Sequence, residues 1–88
     1  MSGKYKQELA TLIADYQLWV ASIEQYLEDN QVYQTHIVKR LQAIKRQLNN
    51  LTRINSLLVL TDKIISIDQS LNIIQLKLPG YSYNLITA

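Results

Sequence analysis

Cysteine is absent from all 88 residues, which excludes disulfides and thiolate metal sites and leaves His36 as the single nitrogen ligand. Glycine occurs twice and proline once, at Gly3, Gly80 and Pro79, so no strong breaker falls between residues 4 and 78. Long helices are the expected consequence. No run approaches the ~18 consecutive apolar residues of a membrane span. Met1-Ser2-Gly3-Lys4 leads into no apolar signal core, and neither a second-position glycine nor a C-terminal prenylation cysteine is present. A soluble, cytoplasmic chain is expected.

Phosphate loops, dinucleotide fingerprints, zinc spacings and calcium loops are also missing. A lone histidine beside Thr35 makes no triad, and Glu24 and Glu28, one helical turn apart, read as a mildly repelling pair on a wet face. The expectation is therefore no enzyme: no catalytic residue, no cofactor, no metal and no small-molecule substrate.

What is present is periodicity. Large apolar residues follow a 4,3 spacing through Tyr5, Leu9, Leu12, Tyr16, Trp19, Ile23 and Tyr26, then Asn30, Tyr33 and Ile37. Asn30 breaks the pattern inside the polar run Glu28-Asp29-Asn30-Gln31, so a helix end and a turn are expected around residues 29 to 34. A continuous helix with Asn30 as a register device is the alternative. A second stripe runs Ile37, Leu41, Ile44, Leu48, Leu51, with Asn49-Asn50 and Asn55-Ser56 as weak points where side chains compete for backbone hydrogen bonds. A third runs Leu57, Leu60, Ile64, Ile67, Leu71, Ile74, Leu78, capped by Thr61 or Asp62 and stopped by Pro79-Gly80. Alternation in Ser66-Ile67-Asp68 and Gln75-Leu76-Lys77-Leu78 makes a hairpin turning near Gln69-Ser70 the rival reading for residues 62–78. Seven matches to one helical stripe outweigh it.

These patterns predict an all-α fold of three helices, near 4–29, 33–58 and 60–78. A helical hairpin plus a third helix would form a coiled-coil-like bundle over residues 1–78, with 79–88 as an extended or disordered tail. At this length a lone core is only modestly stabilising, and without disulfides or metal the remaining supplement is association. The third helix carries a surplus: Leu58, Val59, Ile65, Ile73 and Leu76 lie off its main stripe, and a helix apolar nearly all round must be covered nearly all round.

A protein–protein interaction or assembly module is the leading expectation, acting as an adaptor, regulatory or structural subunit with a second copy or another helical subunit as partner. Its candidate interface is Tyr16, Trp19, Tyr26, Leu57, Leu60, Ile64, Ile67, Leu71 and Ile74, since tyrosine and tryptophan combine an apolar body with a polar tip. Charge is segregated. Residues 1–30 hold two lysines against five acids, whereas residues 31–63 hold six basic residues against Asp62 alone, an arrangement that favours antiparallel pairing of the first two helices. Lys39, Arg46 and Arg53 recur every seven residues as a positive ridge, so a basic nucleic-acid-binding bundle is the alternative. No aromatic residue lies between Tyr33 and Tyr81 to stack bases, which weakens it. A membrane-surface helix at residues 57–78 is a second alternative, weakened because Lys63 and Lys77 are its only cations.

Overall fold

A computed structural model describes residues 3–86, excepting the side chains at positions 4 and 5. The fold is all-α with three helices, and no strand occurs among the described residues. Helix α1 spans Gly3–Asp29, α2 Thr35–Asn50 and α3 Leu57–Leu76, with a 3-10 turn at Leu51–Arg53 after α2. The hairpin considered for residues 62–78 does not form; α3 is helical across Gln69 and Ser70.

Helix α1 ends where the polar run predicts, and the reason is a specific cap. Gln31 adopts φ 54°, Val32 N–H donates to the Leu27 carbonyl at 2.9 Å and Gln31 N–H to that of Glu28 at 3.2 Å. These paired bonds define a Schellman motif, normally closed by glycine. The second break differs from expectation. Helix α2 stops at Asn50, not residue 58, and the 3-10 turn keeps Leu51 buried before the chain extends through Ile54 to Ser56. Ser56, not Thr61 or Asp62, caps α3 by accepting from the Val59 N–H at 3.3 Å. Thr61 instead donates back to the Leu57 carbonyl.

The helices run up, down and up. Lys45 on α2 meets Glu24 on α1 at 3.2 Å, and Leu27 shares a cleft with Val38 and Leu41, so the first pair is antiparallel. Helix α3 returns parallel to α1: Ile64 lies beside Leu9 and Leu12, and Asp68 receives a hydrogen bond from Tyr16. At 27 residues, α1 should measure about 40 Å, close to the molecule's longest extent of 43 Å.

Two seams of α1 are therefore occupied. Tyr16, Trp19 and Ile23 belong to the heptad stripe, while Ile13, Val20 and Leu27, seven residues apart, make a second row toward α2; all six are buried. From α2 and the turn after it come Ile37, Leu41, Ile44, Leu48 and Leu51, and from α3 and just beyond it Leu60, Ile67, Leu71, Ile74 and Leu78.

After Pro79 and Gly80 the chain reverses and runs back along α1 as an extended segment. Tyr81, Tyr83 and Leu85 turn inward while Ser82, Asn84 and Ile86 face out, the two-residue period of an extended strand.

Candidate functional surface

The aromatic residues proposed as partner contacts lie against the chain itself. Trp19 is 3% exposed and is stacked between Tyr16, at a centroid distance of 6.1 Å, and Tyr83, at 5.7 Å. Tyr16 donates its hydroxyl to Asp68 Oδ1 at 2.9 Å, and Tyr83 to the buried carboxylate of Asp15 at 3.1 Å. Tyr81 donates to Ser22 Oγ at 2.9 Å, and half-buried Tyr26 to the Pro79 carbonyl, the two rings meeting edge to face. Each of these four tyrosines thus puts its ring against the core and its hydroxyl on a polar partner.

This setting alters the phenols. Burial, then the hydrogen bond to Asp68, holds the Tyr16 hydroxyl far above the ordinary tyrosine range; burial, then Asp15, raises that of Tyr83; burial raises that of Tyr81. Shallow clefts of about 200, 290 and 180 Å³ follow the helix seams, and no group of three or more His, Cys, Asp or Glu side chains among the described residues could hold a metal.

Among the aliphatic candidates, Leu60, Ile67, Leu71 and Ile74 are core residues and Ile64 is half-buried, whereas Leu57 is exposed. The ridge residues Lys39 and Arg46 on α2 and Arg53 in the 3-10 turn all face solvent. The unsatisfied surface lies elsewhere, on the outer side of α3. Leu58 is 74% exposed, Ile65 50% and Leu76 87%, with Val59 and Ile73 beside them. Sequence reasoning identified these five as surplus but assigned the interface to the stripe that fills the core. The distinguishing signal was present: Leu58, Asp62, Ile65, Gln69, Asn72 and Leu76 form a second 4,3 row opposite the core row.

Fold and surface together define a three-helix bundle with a tail packed on α1 and one helix apolar on both sides. Comparison with protein-family models, curated proteins and solved structures finds no match for the chain. No helix among the described residues is long and apolar enough to cross a membrane.

Proposed function

We propose that the protein is a non-enzymatic, cytoplasmic interaction or assembly module that docks a helix of a partner protein along the outer face of α3, completing a coiled-coil-like contact. One observation carries this reading: Leu58, Ile65 and Leu76 stand open to solvent on a helix whose opposite face is already sealed. Covering a leucine fully contributes about 1.5–3 kcal/mol, and contiguous apolar rows rimmed by polar groups mark interaction surfaces on soluble proteins. Thr61, Asp62, Gln69 and Asn72 supply such a rim and keep the unbound helix soluble.

A photo-reactive benzoylphenylalanine in place of Leu76 tests the reading in the cells that produce the protein. The expected result is a discrete protein adduct that is lost when Leu58 is also changed to Glu and is not formed from Gln47 on the outer side of α2. Equal or absent adducts at the two positions would refute it.

A further inference from the structure

Resting on that reading, we infer that the occupant of α3's outer face is a second copy of the same chain, bound as a two-fold antiparallel helix pair. The outer row Leu58, Asp62, Ile65, Gln69, Asn72, Leu76 keeps the 4,3,4,3,4 spacing of a coiled-coil seam, and all six residues are exposed. It parallels, on the opposite side of the helix, the core row Leu60, Ile64, Ile67, Leu71, Ile74, Leu78.

The residues of this row decide the orientation. Parallel self-pairing would set Asp62 against Asp62 of the second copy in a partly desolvated layer, where like charges oppose association. Antiparallel pairing centred near Ile67 removes that conflict. Leu58 then meets Leu76 of the second copy, Asp62 meets the amide of Asn72, and Ile65 meets Gln69, each layer appearing twice by symmetry. The flanking residues fit as well: Val59 on one copy and Ile73 on the other lie on the same flank, offset by about 3 Å along the helix axis, and the small Ser66 lies on that flank close to the level of the two-fold axis. Every exposed apolar residue of α3 except Leu57 acquires a neighbour, and the two helix dipoles oppose.

A face that complements itself about a two-fold axis closes after two copies. The exposed apolar surface of these five side chains is on the order of several hundred Å² per copy, approaching the ~800 Å² that each partner gives to a standard interface.

Sedimentation equilibrium of the whole chain from micromolar to several hundred micromolar tests the pairing, and the cysteine-free sequence permits a test of orientation. The expected result is a monomer–dimer equilibrium that the Leu58→Glu/Leu76→Glu double variant loses while its circular dichroism stays helical. A short bis-maleimide should join two copies of the Ser66→Cys variant. It should not join copies of Leu58→Cys, whose thiols would lie about 27 Å apart across the antiparallel pair. Linkage of Leu58→Cys as readily as Ser66→Cys would overturn the antiparallel arrangement. A monomer at every concentration would overturn self-pairing; the adduct from position 76 would then still support docking of a different protein, and its absence as well would end both proposals.

Discussion

Gln31 holds a left-handed conformation that suits glycine. For an L-residue with a side chain this region costs roughly 1–2 kcal/mol, partly offset because glycine loses more entropy on folding. The Gln31→Gly variant should therefore be more stable, by about 0.5–1 kcal/mol in urea denaturation. Gly80, at φ 75°, is the converse case. Nothing lies within 4 Å of where its Cβ would stand, so Gly80→Ala should destabilise through backbone strain alone, by about 1 kcal/mol. Trp19 is a third residue with a clear expectation. Its ring is sandwiched and buried, and Trp19→Ala should cost about 3–5 kcal/mol. The phenols of Tyr16, Tyr81 and Tyr83 are raised in the folded state, so their contribution is complete below the unfolded tyrosine value of about 10 and declines as pH rises above it. The melting temperature should be level from pH 7 to 9 and fall above about pH 10. Tyr16→Phe should reduce that fall, at a loss of about 1–2 kcal/mol near neutrality.

Element boundaries follow from a few competing side chains. Ser56→Ala should destabilise the fold by about 1 kcal/mol because it removes the cap of α3, while Thr61→Ala should change stability little, since its hydroxyl only back-bonds within the helix. Thermal melts of the two variants side by side check this. The existence and number of helices were legible because Gly and Pro are excluded from residues 4–78 and apolar residues recur at heptad spacing. The end of α1 was legible from Glu28 to Gln31. The end of α2 was less so: Asn49-Asn50 and Asn55-Ser56 were both recognised as weak points, but where the helix stops depends on burial of Leu51 against the core, a tertiary contact that no local pattern records. The same holds for the tail. Tyr81 and Tyr83 have no helix period, yet their rings find Tyr26 and Trp19 more than fifty positions away in the chain.

At the scale of the molecule, one length of α3 faces two environments. Its inner row completes the core with α1 and α2, and its outer row, similarly spaced, stays exposed to solvent. The sequence revealed the apolar surplus and the five residues that form it; Asp62, Gln69 and Asn72 in the outer row mark it as the one that packing leaves outside the core. The ion pair of Lys45 with Glu24 is about half exposed on both sides and contributes at most about 1 kcal/mol, so it orients the hairpin and does little to stabilise it. The proposed self-pairing would add stability that depends on protein concentration, which mass action makes visible. The direct measurement is the melting temperature of the full chain at two concentrations a hundredfold apart, beside the Leu58→Glu/Leu76→Glu variant. A rise of several degrees with concentration is expected for the unaltered protein and none for the variant; identical, concentration-independent melting of both would refute association through the outer face of α3.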